Sequence, residues 1–276
     1  MTTPDPWQDL RAYTAARLAL GRSGSSLPTD ELLRFGLAHA QARDAVQRRL
    51  DGAAFAMEVQ DAGMQTLQVA SAASDRTSFL LRPDLGRRLS PASRDLLESA
   101  SRTIGRPQPG PHAMDLLLVV ADGLSAPAIE RNALPMLDAI RRQAPPDWRI
   151  GPIVVATQGR VALGDEIGHL LSAGLVAMLI GERPGLSSPD SLGIYLTWQP
   201  QIGRSDAERN CISNIRPEGL SYDAAAYRLW WLCREARQLR LTGVQLKDRS
   251  GEAVLDKPVP MQPIGQEAPS HTPTAS

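Results

Sequence analysis

Apolar residues keep helical spacing through the first hundred positions and then gather into continuous runs, so the chain reads as two regions of different grammar. From Trp7 to Leu20, Leu10, Tyr13 and Arg17 recur at helical intervals until Gly21-Arg22-Ser23-Gly24 breaks the pattern. A second helix is expected to open at Thr29, with Asp30 and Glu31 in its first turn, and to run through Leu33, Leu37 and Ala40 to about Leu50. A short helix follows over Ala53 to Gln60, ending near Gly63, and the alternation of Leu67 with Val69 predicts one strand. Residues 101–113 hold Gly105, Pro107, Pro109, Gly110 and Pro111, which mark an internal linker.

Beyond the linker, Asp115 to Ala121 is nearly all aliphatic, the pattern of a strand covered on both faces, and it ends in Asp122-Gly123. Ser125 is placed to cap the next helix, with Pro127 in its first turn and Ile129, Leu134, Leu137 and Ile140 on its apolar face. A second buried strand, Ile150 to Ala156, leads into Gln158-Gly159-Arg160-Val161 and a short helix over Asp165 to Ser172. A third, Leu175 to Ile180, runs into Gly181-Glu182-Arg183-Pro184-Gly185. Leu192 to Trp198 adds a further strand, placed at an edge, and Ser221 caps a long helix from Tyr222 to Leu239. The expected fold is α/β: a mostly parallel, Rossmann-like sheet flanked by helices and joined by right-handed crossovers, preceded by a mainly helical N-terminal region. The expected divisions are 1–108, 109–248 and a disordered tail, 249–276, in which prolines are frequent and aromatic residues absent.

Acidic and basic residues balance at 30 each, so no nucleic-acid or anionic-membrane partner is expected. No apolar run approaches a membrane span, and no basic and apolar leader opens the sequence. Cys211 and Cys233 lack the spacing of a disulfide framework or zinc site, which fits a reducing cytoplasm. Only Lys247 and Lys257 are lysines, both near the C-terminal end, which argues against Schiff-base chemistry on a core lysine.

In an open α/β sheet, ligands gather beyond the carboxyl ends of the strands, and Asp122-Gly123, Gln158 to Val161 and Gly181 to Gly185 all leave such ends. Glu182 offers a carboxylate acceptor, or else an ordinary surface pair with Arg183. Motifs of the form GxGxxG, GxxxxGK[ST] and HExxH are absent. His39, His112, His169 and His271 are scattered, and none belongs to a DxHxxG sequence, so neither a metal site nor a cobalt ligand is expected. Asn210-Cys211-Ile212-Ser213-Asn214-Ile215 reads as a loop lining a crevice, with Cys211 a small contact residue more than a nucleophile and Cys233 in the core.

Leu81-Arg82-Pro83-Asp84-Leu85-Gly86-Arg87-Arg88-Leu89, Ala121-Asp122-Gly123-Leu124-Ser125, Gly181-Glu182-Arg183-Pro184-Gly185-Leu186 and Cys211-Ile212-Ser213-Asn214-Ile215 occur in this order in the small subunits of ethanolamine ammonia-lyase, and the sequence resembles that family over residues 7–247. The resemblance implies a subunit that closes over adenosylcobalamin against a catalytic large subunit and carries no catalytic residue of its own. It assigns cofactor contacts to Val161, Glu182 and Cys211. Some members carry a longer N-terminal extension associated with a bacterial microcompartment, and its lack here puts encapsulation in question. Two other readings stay open: a free-standing doubly wound enzyme that binds a nucleotide ribose through Asp122 or Glu182, and a non-catalytic assembly protein.

Overall fold

The computed structural model describes residues 7, 10, 13, 16–104 and 112–251. Most of the proposed linker and of the C-terminal tail therefore lies outside the described residues. Among the described residues seven α-helices and six strands follow one another as α1 (Thr29–Gln47), α2 (Gly52–Asp61), β1 (Thr66–Ala70), α3 (Arg76–Leu81), α4 (Pro91–Ile104), β2 (Met114–Ala121), α5 (Ala126–Arg142), β3 (Ile153–Thr157), α6 (Leu163–Leu170), β4 (Ala173–Gly181), β5 (Leu192–Trp198), β6 (Arg209–Ile215) and α7 (Tyr222–Leu239).

The strands form one sheet in the order β1-β3-β2-β4-β5-β6. The first four are parallel, and β5 and β6 return antiparallel. β2 shows why the apolar run is continuous. Leu116, Leu118 and Val120 enter the core beneath α2, α5 and α7, whereas Leu117, Val119 and Ala121 enter the opposite core beneath α4 and α6. Period-two geometry sends alternate side chains to the two faces, and both faces are covered. Helices on opposite faces serve connections that run in opposite directions along the sheet, so the three parallel crossovers share one hand.

Local chemistry sets the helix starts. The Ser125 hydroxyl accepts from the Ala128 N–H at 3.3 Å to open α5, and Ser221 accepts from Ala224 at 3.4 Å to open α7. α1 buries only Ala45; Leu33 and Leu37, expected on its apolar face, are exposed along with Leu32 and Phe35.

Three expectations change. Residues 17–20 form no helix, and Ala19 adopts a positive φ of 48° that ends any helical run there; most of 7–16 lies outside the described residues. β5 is internal to the sheet, because Arg209 to Ile215 is an edge strand and not a loop. Its alternation is hidden by a bulge: Leu192 pairs with Ile215 and Ile194 with Ile212, so β6 carries one extra residue, and Asn214 has a φ of 59°. The extra residue turns both Ile212 and Ile215 into the core despite their spacing of three.

Candidate functional site

β2 feeds α5 on one face and its neighbour β3 feeds α6 on the other, so the crevice between their ends is where such a sheet ordinarily receives a ligand. Here the chain fills it. Asp122 accepts from the Gly159 N–H at 3.2 Å through one oxygen and from Arg76 Nη1 at 3.2 Å through the other. Arg76 also donates to the carbonyls of Gly123 at 3.0 Å and Val46 at 2.8 Å. The two side chains are 6% and 1% exposed. Burial pushes the Asp122 carboxyl up to about 6, an effect that Arg76 and the surrounding backbone N–H groups partly offset. Burial also draws the Arg76 guanidinium down. Asp122 is thus committed to an internal pair, each of its oxygens already accepting a hydrogen bond.

The neighbouring surface is open. α7 covers β5 and β6 on one face, but on the other Tyr195 is only half-buried and Cys211 is exposed. The turns after β2, β3 and β4 meet at its margin, where Gly123, Leu124, Arg160, Val161, Glu182, Arg183 and Tyr195 line a cavity of about 420 Å³. An adjoining cavity of about 540 Å³ shares Arg160, Val161 and Tyr195 and extends to Arg87 and Arg88. The turns lie backbone to backbone. Gly123 has a φ of 52°, and a Cβ on it would come within 2.4 Å of the Gly181 carbonyl oxygen.

Glu182 extends from the end of β4 over β5, where the absence of a Cβ on Gly193 leaves it room: a Cβ there would lie 2.9 Å from Glu182 Oε1. Ser191 Oγ and the Asn214 N–H, the latter at 3.2 Å, both donate to Oε2. Among the described residues Oε1 receives no such bond, and Glu182 forms no ion pair with Arg183. The carboxylate is therefore held in place with one acceptor free.

Cys211 stands opposite Tyr195 in the register of β5 and β6. Its thiol is pushed up, first by the desolvating mass of the sheet and further by the Glu182 carboxylate, against a hydrogen bond with Tyr195 that acts the other way. Such a thiol stays protonated at neutral pH, which suits contact better than nucleophilic attack. Burial likewise raises the Tyr195 phenol. Val161, Glu182 and Cys211 thus fall on one face, the first two in one cavity and the third beside Tyr195 at its wall.

Sequence reasoning missed Arg76 and Tyr195. Nothing local marks an ion pair across 46 positions, but Tyr195 was accessible to period-two reasoning: it lies between Ile194 and Leu196, both of which face the α7 side.

The family model described as ethanolamine ammonia-lyase light chain (EutC) matches residues 4–247. The chain belongs to that family. It is 53% identical over 255 residues to the ethanolamine ammonia-lyase small subunit of Azotobacter vinelandii, covering 92% of each chain. The small subunit of Pseudomonas fluorescens (strain Pf0-1) is 53% identical over 253 residues, covering 91% of this chain and 90% of that one. That of Pseudomonas syringae pv. tomato is 53% identical over 247 residues, covering 89% and 84%. The family is that of a lyase subunit, and "small subunit" implies a larger partner. Among the described residues no helix is long and apolar enough to cross a membrane.

Proposed function

We propose that this chain is the small subunit of an adenosylcobalamin-dependent ethanolamine ammonia-lyase and that its open β5–β6 face, with the turns after β3 and β4, holds cobalamin against the large subunit. The observation that carries the proposal is the meeting of Val161, Glu182 and Cys211 on one uncovered face beside a switch point that the chain itself fills.

The residues present fit such a group. Cobalamin has a rim of neutral amides, flat apolar surfaces and a ribose-phosphate tail, so it needs fixed acceptors and close apolar walls. Glu182 Oε1 is a fixed acceptor for an amide or hydroxyl donor, Val161 and the Tyr195 ring offer apolar walls, and Cys211 beside Tyr195 adds little bulk. Cavities of about 420 and 540 Å³ that open to solvent suit half of a site for so large a ligand. The other half then belongs to the partner.

When bound, adenosylcobalamin supplies a cobalt–carbon bond whose homolysis yields the radical needed to convert ethanolamine into acetaldehyde and ammonia. This chain's own part is to position the cofactor through Glu182, to pack against it through Val161 and Cys211, and to keep water from the covered face. The chain alone is expected to show no ethanolamine turnover, and mixing with the large subunit and adenosylcobalamin should restore it. Turnover by the isolated chain would refute the division of labour.

A further inference from the structure

Leu81 to Leu89, one of the segments shared with the family, has no part in the contacts above, yet it brings two arginines to the same opening. Arg87 and Arg88 line the cavity of about 540 Å³ together with Arg160. Arg160 also lines the adjoining cavity with Arg183. Among the described residues none of these four guanidinium groups has a carboxylate partner, although nearby arginines do: Arg82 pairs with Asp84 at 2.8 Å and Arg204 with Glu208 at 2.5 Å. Three acidic groups face the same space. Asp122 is held by Arg76, whereas Asp206, exposed on the wall of the larger cavity, and Glu182, whose partners Ser191 and Asn214 are neutral, offset part of the charge of the four arginines and leave it positive by two.

Arg160 is the fixed member of the group. Its Cζ lies 4.2 Å from the centre of the fully buried Phe79 ring, and its Nη2 donates to the Phe79 carbonyl at 3.2 Å. Its backbone N–H donates to the Gly86 carbonyl at 2.8 Å, which ties the β3 turn to the loop bearing Arg87 and Arg88. Its buried Nε has no partner. Desolvation first, and then the like charges of Arg76, Arg87 and Arg183, draw this guanidinium down. A group of positive charges that outnumbers its carboxylates is relieved by an anion with several acceptor oxygens, and guanidinium forks match phosphate oxygens in geometry.

We propose that Arg87, Arg88, Arg160 and Arg183 form an anion site that takes a phosphate group at the margin of the cofactor face. The phosphate is either the phosphodiester of a corrinoid's nucleotide tail or free phosphate; assigning it to the tail rests on the function proposed above.

The test uses the complex with the large subunit, as wild type and as the Arg87→Ala/Arg88→Ala double variant, whose replaced side chains are exposed. Circular dichroism checks the fold, and Arg183→Ala serves as an independent second variant. Each complex is titrated with adenosylcobalamin and with adenosylcobinamide, which keeps the corrin ring but lacks the nucleotide and its phosphate. The double variant should bind adenosylcobalamin roughly ten- to a hundredfold more weakly and adenosylcobinamide within about twofold of wild type. In parallel, inorganic phosphate is titrated against the full chain and followed by phosphorus NMR line broadening. Unchanged cobalamin affinity together with broadening that the variants abolish supports the site, with free phosphate as its occupant. Equal losses for both corrinoids, or no difference in either arm, would overturn it. If the wild-type complex binds neither corrinoid, the cofactor proposal fails, and the phosphate titration alone decides for or against the anion site.

Discussion

The crevice between β2 and β3 and the face beside β5 lie next to each other, and they treat charge in opposite ways. In the crevice, Arg76 and Asp122 are taken out of water and bonded to each other and to backbone groups, with only Arg76 Nη2 of the pair left without a partner among the described residues. At the open face, Glu182 keeps an oxygen free and Arg87, Arg88, Arg160 and Arg183 lack carboxylate partners among the described residues. A buried pair of this kind adds little net stability, but breaking it is costly, because the surviving charge stays desolvated. The lesson is that the usual ligand position of the fold can be converted into structure while an uncovered face remains at β5, on the far side of β4. The antiparallel return of β5 and β6 makes this possible: among the described residues only α6 reaches their second face, at the end where Asp165 pairs with Arg209, and Tyr195 and Cys211 stay uncovered.

The strongest way to break this contrast is to remove one partner of the buried pair. Arg76→Ala leaves the Asp122 carboxylate without its cation, and a loss of about 3–5 kcal/mol of unfolding free energy is expected in urea denaturation. A loss below about 1 kcal/mol would show that the crevice is wet enough to receive a ligand after all.

Titration of the same pair sharpens the contrast. Burial lifts the Asp122 carboxyl from 3.8 to about 6, so between those values the folded chain holds a proton that the unfolded chain has released. Its contribution to stability is therefore full below about pH 4 and is lost as the pH rises through about 6. Relative to Asp122→Asn, the wild type should lose on the order of 2 kcal/mol between about pH 4.5 and pH 7.5, as read from denaturation midpoints. Parallel profiles for the two proteins would contradict the assignment.

The smallest effect is expected at the C-terminal end. Residues 252–276 lie beyond the family match, which ends at 247, and hold five prolines among few aliphatic residues. Their removal should leave co-purification with the large subunit and turnover nearly unchanged, whereas loss of the complex would make the segment a docking element.

Most of the sheet was legible in the sequence because burial on both faces leaves no polar alternation to misread. Met114 to Ala121 and Ala173 to Gly181 announce themselves as runs, and Ser125 and Ser221 mark their helices as caps. The meeting of the turns after β2, β3 and β4 followed from strand adjacency. β6 was hidden because a bulge replaces its period of two with a spacing of three. α4 was missed although Ser90 Oγ accepts from the Ser93 N–H at 3.2 Å at its start, a cap signal immediately before Pro91. The Arg76–Asp122 pair and the grouping of Arg87 with Arg160 depend on how distant turns fold together, and local spacing carries no trace of either.

The central claim, that the open face holds cobalamin, rests most directly on Glu182. Adenosylcobalamin is titrated into the complexes of wild type and Glu182→Ala with the large subunit, followed by absorbance, with circular dichroism confirming that the variant is folded. A charge-assisted hydrogen bond of about 1.5–3 kcal/mol predicts a roughly ten- to a hundredfold loss of affinity, with the complex itself intact. Unchanged affinity in a folded, assembled variant would contradict the claim and leave Glu182 as a structural brace between β4, β5 and β6.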